Sequence, residues 1–233
     1  MKMAVFLSVF LTIAFTAGYT NGQSGIKETR DLSGFTKVSF GAPGELYINF
    51  GKEFKVVLEG EKSFLEDIKT EVTNGKLVIK RENRSFSWNG KVTVYITMPE
   101  LAGLSVSGSG RAEIKDPSKS EDLSLSVSGS GKINTTDITT SSINCSISGS
   151  GDIVIGGNGS ATKADIAISG SGNYSGEPLK IGSAQISISG SGNCTCNVTE
   201  SLRGSVSGSG NVNYTGNPKV DARVSGSGHI RSK

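Results

Sequence analysis

The chain has 233 residues, 24 basic against 21 acidic, a formal net charge of +3 at pH 7 and a single histidine. That balance gives no electrostatic footprint for a nucleic-acid partner. Glycine and proline, 32 and 5 residues, stay below the share of a structureless low-complexity chain.

Residues 1–22 read as a secretory signal peptide. One early cation, Lys2, precedes an apolar run from Met3 to Phe15 and then small and polar residues, too short for a membrane span. Cleavage after Gly18 or Gly22 fits the preference for small residues, and no cysteine near that boundary offers a lipid anchor. The expected location is outside the cytoplasm: periplasmic, cell-surface or extracellular, with no membrane span in the mature chain. About 210 residues then remain, enough for one domain or one long solenoid.

Residues 23–103 form an irregular β segment. Phe35–Phe40, Glu45–Phe50, Phe54–Glu59, Leu77–Lys80 and Val92–Met98 alternate with period two and are separated by turn signals such as Gly41-Ala42-Pro43-Gly44 and Asn89-Gly90. Ser63–Val72 is expected as strand. Asn74-Gly75 either closes a hairpin or turns a solenoid corner. The whole segment is either first coils or a cap, with continuous coils favoured, and Ser85-Phe86-Ser87-Trp88 reads as an exposed loop.

Residues 104–233 carry Ser-Gly-Ser-Gly seven times, from Ser107, Ser128, Ser148, Ser169, Ser189, Ser207 and Ser225, at steps of 21, 20, 21, 20, 18 and 18 residues. A flexible linker has this composition. It has no reason to keep a β-branched residue before every tract, as Val106, Val127, Ile147, Ile168, Ile188, Val206 and Val224 do here. The fixed period predicts an all-β fold, a β-solenoid with coils of about 18–21 residues in which each coil buries its apolar face on its neighbours.

Parity runs unbroken through the motif. Apolar positions resume at Ala112, Ile133, Ile153, Tyr174, Cys194, Val212 and Ile230, so the glycines face inward and the serines outward. The glycines either narrow the coil or supply the dihedrals of a bend. Cys194 and Cys196 lie two apart on one strand face, too far for a disulfide, and Cys145 belongs to another column. All three are expected as buried, free thiols.

A signal peptide, an irregular β segment ending in Val-Thr-Val-Tyr-Ile-Thr-Met-Pro-Glu-Leu at Val92–Leu101, and apolar-x-apolar-Ser-Gly-Ser-Gly coils together resemble the auto-transporter adhesin head, or GIN-domain, family. The resemblance implies a right-handed parallel β-helix in an exported bacterial protein with an adhesin-like role. It carries over no catalytic residue.

A polysaccharide-active β-helix would stack carboxylates or basic groups on one face. The position after the motif reads Arg111, Lys132, Asp152, Asn173, Asn193, Asn211 and His229, which makes no such site and no repeated calcium ligand. No cofactor, metal or enzymatic activity is therefore expected. The candidate contact strip is two columns of 14 serines: Ser107, Ser109, Ser128, Ser130, Ser148, Ser150, Ser169, Ser171, Ser189, Ser191, Ser207, Ser209, Ser225 and Ser227. A third column holds Ser105, Ser126, Ser146, Ala167, Ser187, Ser205 and Arg223. Stacked at about 4.8 Å per coil, these make a flat hydroxyl strip that suits an extracellular glycan, another surface, or self-association through the strip or the solenoid ends. A polysaccharide-cleaving enzyme and a passive spacer are the alternatives.

Overall fold

The computed structural model describes residues 25–82 and 90–233. The expected leader and the Ser85–Trp88 loop lie outside them. Strands β1 (Ile26–Arg30), β2 (Lys37–Gly41), β3 (Gly44–Phe50) and β4 (Lys55–Gly60) are followed by a short helix, α1 (Lys62–Glu66). Then come β5 (Ile68–Thr73), β6 (Lys76–Arg81) and β7 (Val92–Met98).

The repeat region supplies β8 (Gly103–Gly108), β9 (Arg111–Ile114), β10 (Ser118–Gly129), β11 (Lys132–Thr135), β12 (Ile138–Gly149), β13 (Asp152–Ile155) and β14 (Ser160–Gly170). It continues through the long β15 (Asn173–Gly190) and β16 (Asn193–Gly208) to β17 (Asn211–Thr215), β18 (Lys219–Ser225) and β19 (His229–Ser232).

The chain is a β-solenoid. One wall stacks β8, β10, β12, β14, the ends of β15 and β16, and β18, all parallel and with the motif in register from coil to coil. The second wall stacks β9, β11, β13, the starts of β15 and β16, β17 and β19, again parallel. Val106, Val127, Ile147, Ile168, Ile188 and Val206 are buried on the first wall, and Ala112, Ile133, Ile153, Tyr174, Cys194 and Val212 face them from the second. The shorter, 18-residue step arises at the corner away from the motif. There the register jumps from Gly176↔Cys196 to Lys180↔Asn197, leaving Glu177, Pro178 and Leu179 without a counterpart in the next coil, and shifts back by one residue between Ile181 and Ser183, a net loss of two from the 20-residue step.

The two glycines of each motif divide the two roles that parity alone could not separate. The first is not inward. Gly108 has φ +79°, Gly129, Gly149, Gly170, Gly190 and Gly208 have φ between +108° and +122°, and all keep solvent exposure. They are the bends that join the walls, in a region closed to most side chains. The second glycine is buried from Gly110 to Gly210, and a Cβ there would strike the coil below. At Gly172 it would lie 2.3 Å from the Gly151 carbonyl oxygen and 2.5 Å from Cγ2 of Ile147. The β-branched residue before one motif is thus the seat for the second glycine of the next.

The first part of the chain contains both coils and a cover. β2 pairs in parallel with β8 on one side and β6 on the other, and β3 does the same with β9 and β7. The coil made by β6 and β7 therefore lies outside the earlier one. Beyond it the parallel stack stops: β5 runs antiparallel to β6, β4 antiparallel to β7, and β1 antiparallel to β4. Helix α1 buries Phe64 and Leu65 at this end, and Phe35 packs on Phe54 with ring centroids 4.8 Å apart.

The strand expected over Ser63–Val72 begins only at Ile68. Two adjacent buried residues, Phe64 and Leu65, cannot both face inward from a strand, whereas one turn of helix presents both. Asn74-Gly75 makes the hairpin rather than a corner, with φ values of 50° and 70° between the paired Thr73 and Lys76.

At the other end the stack is open. Val220, Ala222 and Val224 occupy inward register positions opposite Leu202, Gly204 and Val206, yet all of β18 is exposed, because no strand among the described residues pairs with its outer edge. All three cysteines are buried and free. Burial holds the Cys145 thiol protonated, and a hydrogen bond with Cys196 followed by burial does the same for Cys194.

Two predictions follow from this packing. Gly172→Ala should cost about 3 kcal/mol and lower the calorimetric midpoint by several degrees, roughly 2–4 °C for each kcal/mol, whereas Ser171→Ala should leave it unchanged. Equal midpoints would mean that the coils have room to spare at the seat. The thiols should resist alkylation until the protein is denatured. Stability should also fall as pH rises through about 8.5, because the unfolded chain then releases thiol protons that folded Cys145 and Cys194 retain; rapid native alkylation would refute the burial.

Candidate contact surface

All 14 motif serines are exposed. The first serine of each motif lies at the end of a first-wall strand, so Ser107, Ser128, Ser148, Ser169, Ser189, Ser207 and Ser225 align in one column. The second serine stands past the bend. Its amide donates to the first-glycine carbonyl of the coil below, as in Ser130 to Gly108, Ser150 to Gly129 and Ser171 to Gly149, each at 2.9 Å. Both columns are therefore fixed by backbone bonds. They are not coplanar, as the flat strip required: the positive φ of the intervening glycine folds the strip along its length.

The flat part of the first wall lies on the other side of the first-serine column. Ser105, Ser126, Ser146, Ala167, Ser187 and Ser205 align there, and next to them runs a column of Ser124, Asn144, Asp165, Gln185, Arg203 and Asp221. Small side chains leave a shallow open trough of about 350 Å³ over Ser124, Ser126, Asn144, Ser146 and Ala167. It adjoins a second of about 500 Å³ reaching Lys163, Arg203 and Lys219, and Asp165 and Gln185 line both. Arg203 pairs with Asp221 at 3.3 Å, and Ser201 donates to Ser183 at 3.0 Å.

This last column was missed because its residue types vary from coil to coil. Its parity was the available signal, since it stands two residues before the third serine column.

The second wall is organised by side-chain ladders. Asn173 donates to Asp152 at 2.9 Å, Asn193 to Asn173 at 3.0 Å and Asn211 to Asn193 at 3.0 Å. Asp152, the one acid of its column, thus terminates an amide ladder. Tyr47 and Tyr95 stack with centroids 5.6 Å apart and planes 24° from parallel, while Lys115 lies over the Tyr47 ring at 4.5 Å and Lys27 over Tyr95 at 5.7 Å. Donation to Glu45 pushes the Tyr47 phenol up to about 12. A cation thus lies over each ring of the stack, and Tyr95 stays 39% exposed.

Three other acids have structural partners. Asp116 accepts from the Phe50 amide at 2.9 Å, Glu113 pairs with Lys115 at 2.9 Å, and Glu177 pairs with Lys233 at 2.6 Å. Among the described residues no three of His, Cys, Asp and Glu come together to hold a metal, and no helix is long and apolar enough to cross a membrane.

A family model described as "Putative auto-transporter adhesin, head GIN domain" matches residues 34–218. Among solved structures, a "putative adhesin" from Bacteroides fragilis NCTC 9343 is similar with a TM-score of 0.83 at 25% identity, over 93% of this chain and 100% of that one. A "putative adhesin" from Parabacteroides distasonis ATCC 8503 gives a TM-score of 0.72 at 20% identity, over 90% and 97% of the two chains. A "putative lipid binding protein" from the same organism gives 0.69 at 21% identity, over 91% and 97%. These last two share the fold. No curated protein matches the sequence. With its solenoid, its motif register and more than half its length matched, the chain belongs to the auto-transporter adhesin head, GIN-domain, family.

Proposed function

We propose that this protein is an exported, non-enzymatic adhesin-like solenoid that binds an extended glycan along its first wall, with the 14 motif serines and the trough beside them as the contact surface. The observation that carries this reading is the in-register exposure of the hydroxyl columns along an open trough. Small hydroxyls permit close approach of a polyhydroxylated chain. They offer donors and acceptors at a repeat of about 4.8 Å. Asp116, Asp152, Glu113 and Glu177 are each held by a structural partner, which favours a binding role over catalysis.

A net hydrogen bond contributes roughly 0.5–1.5 kcal/mol, so useful affinity requires several coils at once. Binding should grow steeply with the number of coils contacted. The adhesin role also accounts for a long, rigid body with its chemistry spread along one side rather than gathered in a pocket.

The test compares the parent with a wall variant, Ser126→Lys, Ser146→Lys and Ser187→Lys, and a bend variant, Ser130→Lys, Ser150→Lys, Ser171→Lys and Ser191→Lys. All seven positions are at least partly exposed, so both variants should keep the parent's thermal midpoint. Glycan-array binding and attachment to cells should be lost in the wall variant and reduced in the bend variant. Unchanged binding in both would reduce the wall to a solvated surface and the protein to a spacer.

A further inference from the structure

The two ends of the solenoid differ. At one, antiparallel strands and α1 cover the terminal coil, and the last strand of that edge, β1, carries Lys27, Glu28 and Arg30, the charges that keep an edge from recruiting other chains. At the other, β18 pairs only with β16 and β19 only with β17 among the described residues. Val220 and Val224 are each 44% exposed although their register positions point into the core.

The sequence of this open strand says what fits it. Lys219-Val220-Asp221-Ala222-Arg223-Val224-Ser225, turned by a twofold rotation about Ala222 and laid antiparallel on itself, places Val220 opposite Val224 and Asp221 opposite Arg223, each twice. The valines meet on the core side and the charges on the solvent side, because residues directly opposite in an antiparallel pair share a face. Arg223 has no ion-pair partner among the described residues, while Asp221 meets Arg203 of its own chain. A copy would supply the missing acid to Arg223. The twofold interface is of the self-complementary kind that closes at two subunits.

We infer that β18 is a dimerisation edge, at which a second copy of this chain pairs antiparallel about Ala222 and joins two solenoids end to end. Each copy then covers the Val220, Ala222 and Val224 of the other, and a sealed end faces outward on both sides. The serine columns of the earlier coils stay free, while Lys219, Val220 and Asp221 also line one end of the first-wall trough, so the interface adjoins the surface proposed for the glycan.

Sedimentation equilibrium of the parent should give the mass of a dimer. In Arg223→Asp two acids would face each other at each of the symmetric pairs, and in Asp221→Arg two cations would. Each single variant should dissociate at least about tenfold more readily, the ratio expected for about 1.4 kcal/mol shared over two cross-strand pairs. Mixing them restores opposite charges at both pairs. Native mass spectrometry of the mixture, one chain isotopically heavy, should then show a heterodimer stronger than either homodimer, a result that a mere folding defect would not give. A monomeric parent at every concentration, a dimer indifferent to both substitutions, or failure of the mixture to associate would each overturn the proposal.

Discussion

Everything in this molecule depends on one coil seating on the next at the second motif glycine. The contact is between backbone and a buried β-branched side chain, Gly172 on Gly151 and Ile147, for example, and neither surface can retreat. A coil that slipped by one residue would bring a side chain to this seat and turn its apolar set outward. Register is therefore fixed at one point per coil and transmitted to both walls. The Glu177–Leu179 segment of β15, in a coil of 20 residues, has no counterpart in the following coil of 18, yet the motif keeps its register across the two.

Once register is fixed, each outward position becomes a column, and columns select their own chemistry. A side chain at a repeat of about 4.8 Å meets its own kind in the next coil. Amides can donate and accept in turn, hence the Asn173–Asn193–Asn211 ladder; aromatic rings can stack, hence Tyr47 on Tyr95. Like charges cannot be repeated at that spacing without cost, which fits Lys27, Lys115 and Arg203 each having an acid beside them. Serine is the neutral solution for a wall that must stay both wet and approachable. The first wall uses it where the second uses ladders, and this difference makes the first wall the candidate for binding.

Much of this was legible in the sequence because a solenoid repeats its argument. Seven motifs with a β-branched residue before each fixed the walls, the exposure of the serines and the burial of the three thiols. What escaped were features that no residue-type pattern marks. The helix at Lys62–Glu66 hid behind the alternation of Ile68, Thr70 and Val72, and only the adjacent burial of Phe64 and Leu65 distinguishes it. The first glycine of the motif has the parity of an inward residue, but a positive φ removes it from the strand in which parity has meaning. The trough column of Ser124, Asn144, Asp165, Gln185 and Arg203 is continuous in space and miscellaneous in type, so no motif marks it.

The order of the first coils could not be read locally, and it shapes the whole body. β2 and β3 are the earliest wall strands in sequence, yet they lie inside the stack, between the coil of β8 and β9 and the later coil of β6 and β7. A chain that simply wound from one end would leave its first coil bare. Here the excursion through β4, α1 and β5 carries the chain past that coil, and the return supplies antiparallel strands that a parallel stack cannot extend. Growth of the solenoid is thereby permitted in one direction only. The terminal coil at β18 is the surface on which that direction ends or continues, and its valines are exposed because the constraint that built every earlier coil, a neighbour seated on it, is the one thing it lacks within the described chain.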